Sequence, residues 1–173
     1  MIIEANLTEK IFRKFTMFDM MRRRKVWRSP ATFASILSVS AAICFLMHHV
    51  EGAILLGTVL LIVGLGMPLV YFATFFSSLN KQILELGLKR PRVFYTLTLT
   101  EKSDGIGVHN EKEQASYKWK DVHHVYRDTL ATYLFMTPTR AFILPHTSVE
   151  EGADALWQLM EKKIPENKRT ILK

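Results

Sequence analysis

Two long apolar runs dominate the first half of the chain. Residues 31–50 and residues 52–76 contain no Asp, Glu, Lys or Arg. A helix rises about 1.5 Å per residue, so each run is long enough to cross the roughly 30 Å hydrocarbon core of a bilayer. The pattern therefore predicts two transmembrane helices joined by a tight turn. Pro68 lies inside the second run, where a membrane helix tolerates it as a bend.

A period of two begins after residue 92 and predicts β-strands. The positions of one face in the first strand are Val93, Tyr95, Leu97 and Leu99. Further strands are predicted over residues 106–109, 115–119, 122–127, 132–136 and 140–144, separated by turn-forming residues. Ser148 and Glu151 match a capping box ahead of an amphipathic helix that Pro165 should stop. Six antiparallel strands closed by one C-terminal helix indicate a small sheet or partial barrel of α+β class.

The segment before the first apolar run has the pattern of an amphipathic helix. Its apolar positions recur at steps of three and four: Leu7, Ile11, Phe12, Phe15, Phe18 and Met21. Asn6 and Glu9 are expected to cap it. Its opposite face is basic, which is typical of a helix lying on an anionic membrane surface.

Charge divides the chain into four segments. They are a basic N-terminal segment at 1–29, the transmembrane hairpin at 30–80, a basic linker at 81–92 and a C-terminal domain at 93–173. The net charge is +7, and the excess of Lys and Arg lies wholly in the segments beside the apolar hairpin. This distribution excludes disorder and a disulfide scaffold.

The basic residues also predict the orientation in the membrane. Lys and Arg flank both outer ends of the hairpin, whereas the turn between the spans has none, so the positive-inside bias places both termini in the cytoplasm. A cleaved signal peptide is disfavoured because no A-x-A site ends the apolar run. The predicted location is the plasma (inner) membrane, as a multi-pass protein. The cluster expected at the membrane surface comprises Arg22, Arg23, Arg24, Lys25, Arg28, Lys89, Arg90 and Arg92.

No motif of catalysis stands out. The sequence has no Walker loop, no GxGxxG and no GxSxG, and Cys44, the only cysteine, lies in the first span. His123 and His124 are neighbours on a predicted strand and should point to opposite faces, which makes a shared metal ion unfavourable. We therefore expect no catalytic residues, no cofactor and no metal site. A nucleic-acid partner is not expected either, because the C-terminal domain is neutral.

Two groups of residues are candidates for binding. Lys118, Lys120, Arg127 and Arg140 could converge on one mouth of the domain and hold a lipid head group. Small residues recur in both spans, at Ala34, Ser38 and Ala42 in the first and at Gly57 and Gly64 in the second. Such residues allow close helix packing, either within the hairpin or against another copy or another protein.

The order of these parts resembles the YcxB-like family of bacterial membrane proteins. The resemblance covers two spans with a very short turn, a basic stretch, a strand hairpin of the form YLFMTPTRAFILP and a capped helix. It implies a cytoplasmic domain similar to a bacterial pleckstrin-homology (PH)-like fold. The family has no established reaction, so the resemblance brings no catalytic residues to this chain.

Three functions follow as hypotheses. The first is a membrane-anchored protein whose cytoplasmic PH-like domain binds or regulates a partner, in contact with anionic lipids and with a protein partner or a second copy. The second is a structural subunit of an oligomeric membrane assembly or transporter. The third is a membrane enzyme that uses His123 or His124, but the sequence offers no accompanying set of catalytic residues in support of it.

Overall fold

The computed structural model describes residues 1–90, 92–99, 105–110 and 114–172. Within these ranges the α-helices are α1 Glu9–Met17, α2 Arg28–Leu46, α3 Ala53–Glu85 and α4 Ala153–Lys163. The strands are β1 Ile2–Leu7, β2 Arg92–Leu99, β3 Gly105–His109, β4 Gln114–Lys118, β5 His124–Arg127, β6 Ala131–Phe135, β7 Ala141–Pro145 and β8 Arg169–Ile171.

The chain divides into two compact units, and one of them is discontinuous in sequence. Met1–Phe15 and Leu86–Lys173 form the first, here called the discontinuous unit, and Thr16–Glu85 form the second, the helical unit. The sequence pattern grouped residues 1–29 as one basic segment. In the structure the first 15 residues belong instead with the C-terminal part of the chain, because β1 pairs with β2.

The first sheet of the discontinuous unit has the order β1-β2-β3-β4 and is antiparallel throughout. In β1 the burial alternates, with Ile3, Ala5 and Leu7 buried and their neighbours exposed. The predicted helical start at Asn6 is therefore wrong. The alternation of residues 2–7 has period two, which suits a half-buried strand, and the helix begins only after Thr8, whose Oγ1 accepts the N–H of Ile11.

The second sheet has the order β7-β6-β5-β8. Its first three strands are antiparallel, and β8 lies parallel to β5. The predicted α+β content is present, yet the strands divide between two four-stranded sheets. Among the described residues they do not close into a barrel. The strands predicted at residues 106–109, 132–136 and 140–144 match β3, β6 and β7 within one or two residues, whereas β1 and β8 were not predicted.

Both sheets contribute to one hydrophobic core. Leu97 and Ile106 from the first sheet and Leu134 and Leu144 from the second belong to the same buried cluster. In β6 every residue is buried, because its other face is covered by α1: the Phe15 ring lies 5.1 Å from the ring of Tyr133. Covering on both faces abolishes the alternation that a half-exposed strand would have.

Helix α4 begins later than the capping-box motif predicts. Its N-cap is Gly152, which has a φ of +90°, a value that favours glycine. Ser148 lies in a 3-10 turn, and its Oγ accepts the N–H of Asn6 at 3.3 Å instead of capping the helix. The predicted capping box is thus wrong. The apolar stripe predicted at Ala153, Leu156, Trp157 and Met160 is confirmed at the last three positions, which are buried in the core, whereas Ala153 is only partly buried.

The helical unit contains the two apolar helices. Each is long and apolar enough to cross a membrane, and only 6% and 17% of their most apolar windows are buried. Helix α2 ends at Leu46, four residues before the predicted limit of the span, and α3 continues through Pro68 to Glu85.

The two apolar helices pack closely at glycines of α3. A Cβ atom added at Gly57 would lie 3.2 Å from the Ala41 carbonyl oxygen, and one added at Gly64 would lie 3.0 Å from the Cβ of Leu37. These two small residues therefore serve packing within the hairpin. On α2 the buried position is Ala41, whereas Ala42 of the predicted stripe is exposed.

Candidate functional site

One groove of the discontinuous unit is lined mainly by lysines. It has a volume of about 610 Å³ and lies between the end of β4 and the C-terminal end of α4. We call it the lysine cleft, and its lining comprises Lys118, Trp119, Lys120, Lys162, Lys163, Pro165 and Lys168. The described residues that line it include five lysines and no carboxylate.

Local structure explains why these lysines meet. Strand β4 ends at Lys118, and the 3-10 turn that follows buries Trp119 in the core while Lys118 and Lys120 stay exposed on either side. Helix α4 ends with Lys162 and Lys163 in its last turn, where positive charge is favourable beside the helix dipole. The buried cap residue after the helix and the proline that follows it then turn the chain toward β8.

Two residues that line the cleft have polar groups with unusual surroundings. The ammonium of Lys168 donates to the Val122 carbonyl oxygen at 2.7 Å and to the Lys120 carbonyl oxygen at 3.4 Å. The Trp119 side chain is only 4% exposed, and its indole N–H has no acceptor among the described residues. Buried N–H groups are nearly always hydrogen-bonded in proteins, so this one stands out.

The four cations predicted to share one mouth of the domain are divided by the structure. Lys118 and Lys120 line the lysine cleft, whereas Arg127 and Arg140 are not among its lining residues. Arg127 pairs with Asp154, and its guanidinium lies 5.8 Å from the Trp157 ring. Arg140 lies 5.5 Å from the ring of Tyr117.

The sequence analysis did not single out Trp119, Lys162, Lys163 or Lys168. A signal was present in the basic run KKIPENKR at residues 162–169. Because this run and Lys118 are far apart in the sequence, only the fold brings them to one cavity.

The predicted membrane-surface cluster is distributed over both units. Arg22, Arg23, Arg24, Lys25 and Arg28 lie in the helical unit, and Lys89 and Arg90 lie in the discontinuous unit. Within the helical unit, the partly buried Asp19 forms ion pairs with Arg23 and with Arg24, at 2.7 Å for the latter. These pairs reduce the charge that the two arginines present. The side chain of Arg92 lies outside the described residues.

A polar network joins α1 to the second sheet. The Lys14 ammonium lies 2.7 Å from the Asp128 carboxylate, and the Tyr133 hydroxyl donates to the same carboxylate at 2.9 Å. Burial acts to raise the pKa of Asp128, yet the hydrogen bonds from Lys14, the Thr129 backbone and Tyr133 outweigh it and lower that pKa. Burial and the bond to Asp128 raise the pKa of Tyr133.

Two histidines of the discontinuous unit have side-chain hydrogen-bond partners. His124 lies 2.9 Å from the Thr170 hydroxyl, and burial and then the neighbouring positive charges lower its pKa. His146 lies 3.1 Å from the Thr132 hydroxyl, and burial lowers its pKa also. In the part of the chain that the structure describes, no three His, Cys, Asp or Glu side chains form a group able to hold a metal ion.

A second groove in the same unit has the opposite charge. It has a volume of about 670 Å³, and Glu4, Glu150 and Glu151 are among the residues that line it. All three glutamates are exposed to solvent. This acidic groove and the lysine cleft give the discontinuous unit two cavities of contrasting charge.

Comparison with known proteins identifies one region of the chain. Residues 102–160 match the model of the family described as YcxB-like protein, which confirms the family resemblance for this region of the chain. The match extends from the residues before β3 to the middle of α4 and covers about a third of the chain. No curated protein and no solved structure matches the chain.

Proposed function

We propose that this chain, whose residues 102–160 are a YcxB-like region, is an integral membrane protein that presents a PH-like binding or regulatory domain to the cytoplasm. In this proposal the two apolar helices cross the plasma (inner) membrane, and the discontinuous unit recognises a partner without performing catalysis.

The pairing of β1 with β2 is the observation that carries the proposal. Ile3 pairs with Leu97, so residues from before and after the two apolar helices share one sheet. A sheet cannot form across a bilayer, and both flanks of the hairpin must therefore lie on the same side. This requirement supports an even number of crossings, which two antiparallel helices provide.

The surfaces of the apolar helices support their placement in lipid. The core helix of a soluble protein is mostly buried, whereas α2 and α3 expose large apolar side chains along their length, such as Ile36 at 64% and Leu69 at 71%. Exposed apolar surface on this scale is unfavourable in water and favourable in hydrocarbon.

The distribution of positive charge supports the cytoplasmic orientation. Lys and Arg lie on both outer flanks of the hairpin, and residues 47–52 of the turn contain neither. The positive-inside bias then assigns the flanks, and with them the whole discontinuous unit, to the cytoplasm.

The layout of the discontinuous unit supports a PH-like assignment. Two small sheets enclose a common core, and a single helix near the C-terminus contributes Leu156 and Met160 to it. The parallel strand β8 is an addition to the expected order. Within the described ranges, β4 lies at the edge of its sheet with a partner strand on one side only, and partner proteins bind edges of this kind.

The rival hypothesis of an oligomeric subunit rested on the small residues of the spans. Gly57 and Gly64 contact α2 of the same hairpin. Packing within the hairpin therefore explains these small residues without contact to another copy. This contact favours the binding protein over the assembly subunit.

Reporter fusions test the topology. Alkaline phosphatase inserted after Glu51 is expected to be active, because the turn faces outward, and a fluorescent protein fused after residue 173 is expected to fluoresce in the cytoplasm. An inactive phosphatase or a C-terminal fusion that protease cleaves from outside intact cells would refute it.

Capture from native membranes tests the binding role. The full chain is expected to retain a specific protein, and the variant Ile106→Asp, which places a charge at a fully buried core position, is expected to lose it. Equal capture by both chains would show that the discontinuous unit is not the binding element.

A further inference from the structure

We propose that the first turns of α2 form a binding site for one phospholipid whose head group has a net negative charge. The inference rests on the membrane placement proposed above and deepens it, because it assigns the lipid contact to one groove instead of to a general basic surface. Three features support it: the shape of the groove, its apolar and satisfied lining, and an arginine at one end.

The groove runs along one face of α2. It has a volume of about 550 Å³, and we call it the α2 groove; its lining comprises Trp27, Arg28, Ala31, Thr32, Ser35 and Ile36. From residue 28 to residue 36 the helix rises about 12 Å, which is most of the roughly 15 Å that one leaflet contributes to the hydrocarbon core. In the proposed topology the groove therefore has the length and the direction of a lipid acyl chain.

Helix α3 does not fill the α2 groove. The residues of α2 that lie against the packing glycines of α3 include Ala34, Leu37 and Ala41, and none of these lines the groove. Ile36, which does line it, is 64% exposed. The apolar wall of the groove is thus open to an occupant from outside the hairpin.

The two hydroxyl groups of the groove are already hydrogen-bonded within the helix. Thr32 donates to the Ser29 carbonyl oxygen and Ser35 donates to the Ala31 carbonyl oxygen, both at 2.9 Å. A polar group in hydrocarbon is costly when it has no partner, and these groups have one each. An acyl chain can therefore cover them without leaving a hydroxyl donor unpaired.

Arg28 lies at the end of the groove where a lipid head group would be. It precedes the charge-free run of residues 31–50 by three positions, and it is exposed. Arg23 and Arg24 form ion pairs with Asp19, whereas Arg28 has no ion pair with a described residue. Its guanidinium is therefore available to bind a phosphate group through paired hydrogen bonds.

The charge around the groove favours an anionic head group over a zwitterionic one. Lys25 is exposed one turn before Arg28, and no described residue of the lining is acidic. Phosphatidylcholine brings a positive choline group toward these cations, whereas phosphatidylglycerol has the phosphate charge alone. Trp27, which is 45% exposed, adds the kind of amphipathic ring that is enriched at the head-group level.

Brominated lipids test the site, because bromine quenches tryptophan fluorescence only at short range and Trp27 lines the groove. The full chain is reconstituted in phosphatidylcholine vesicles that contain increasing fractions of acyl-brominated phosphatidylglycerol or acyl-brominated phosphatidylcholine. Quenching that remains in Trp27→Phe is subtracted, since it arises from the buried Trp119 and Trp157. We expect half-maximal quenching at an about fivefold lower fraction of the brominated phosphatidylglycerol, the preference that one basic residue supplies near an anionic lipid.

Charge variants test whether Arg28 provides the preference. Arg28→Gln is expected to bring the two half-quenching fractions together. The matched control is Arg22→Gln, an exposed arginine of the same unit that does not line the groove, and it should keep most of the difference. A preference that both variants abolish equally would come from the basic surface as a whole, and it would overturn the proposal.

The same measurement separates the lipid site from the membrane placement on which it rests. Equal quenching of the unsubstituted chain by both brominated lipids would leave α2 in the membrane and overturn only the lipid site. If neither lipid quenches Trp27, the chain Ile36→Cys in a Cys44→Ser background decides between two causes. A disulfide-linked dimer would show that a second copy occupies the groove, which overturns the lipid site. Without a dimer, α2 does not lie in lipid, and both proposals fail.

Discussion

Two adjacent isoleucines of β1 provide a sharp test of the discontinuous unit. Ile3 is fully buried in the core that both sheets share, whereas Ile2, its neighbour in the same strand, is 63% exposed. Replacing either by Ala removes the same atoms and the same strand preference. The two variants therefore differ only in what the side chain contacts.

The expected magnitudes differ several-fold. Ile3→Ala removes three buried carbon atoms at about 0.8 kcal/mol each, which is about 2.4 kcal/mol, and a cavity that does not collapse raises the cost toward the ~2–5 kcal/mol of such core truncations. Ile2→Ala lies on the surface and should change the free energy of unfolding by no more than about 0.5 kcal/mol.

Urea unfolding of the full chain in nanodiscs measures both values. The fluorescence of the buried Trp119 and Trp157 reports loss of the core, and the shift in midpoint at constant slope gives the change in free energy. If Ile3→Ala costs less than about 0.5 kcal/mol, or if Ile2→Ala costs as much as Ile3→Ala, then β1 is not part of the folded core.

Three further predictions concern the hairpin, the polar network and pH. Gly57→Leu is expected to destabilise the packing of α2 on α3 by about 1–3 kcal/mol in detergent denaturation, because its Cβ would meet α2. Gly66→Leu, whose Cβ meets nothing within 4 Å, should have little effect, and equal effects would contradict the packing. Asp128→Asn should lower the urea midpoint by the equivalent of about 1–3 kcal/mol, since it removes the charge that Lys14 and Tyr133 contact; an unchanged midpoint would refute that role. The folded-state pKa values of His124 and His146 lie below 6.5, so their stabilising contribution is fully present above pH 6.5 and is lost as the pH falls below it. Urea midpoints should accordingly fall between pH 7.5 and 5.5, less so when both are replaced by Gln, and equal pH profiles would contradict the pKa shifts.

The sequence predicted the elements whose signals are local. Two charge-free runs were sufficient to place α2 and α3, and alternation was sufficient to place β2. Strand β1 was not predicted, because the apolar positions at Ile3 and Leu7 fit a helical spacing as well as an alternating one. Its partner strand begins at Arg92. Neither segment alone contains a sequence signal for pairing with a strand so far away in the chain.

The candidate site was predicted in part for the same reason. Lys118 and Lys120 were identified as a pair of cations close in sequence, and both line the cleft. Lys163 and Lys168 join them through the position of α4 and the chain after it, which depends on tertiary packing. The Trp119 indole N–H has no acceptor among the residues that the structure describes, and this property of the folded interior is not encoded by any residue pattern.

The sheet that joins β1 to β2 constrains how the protein is made. Leu7 leaves the ribosome early, but its partner Arg92 follows only after residues 8–91 have been translated. At about 5–20 residues per second this interval is on the order of 4 to 17 s. During it β1 has no partner strand, and in the topology proposed above both apolar helices are inserted into the membrane within the same interval. Completion of the sheet is therefore a late event in synthesis, and chaperones that shield nascent strands have a defined interval in which to act.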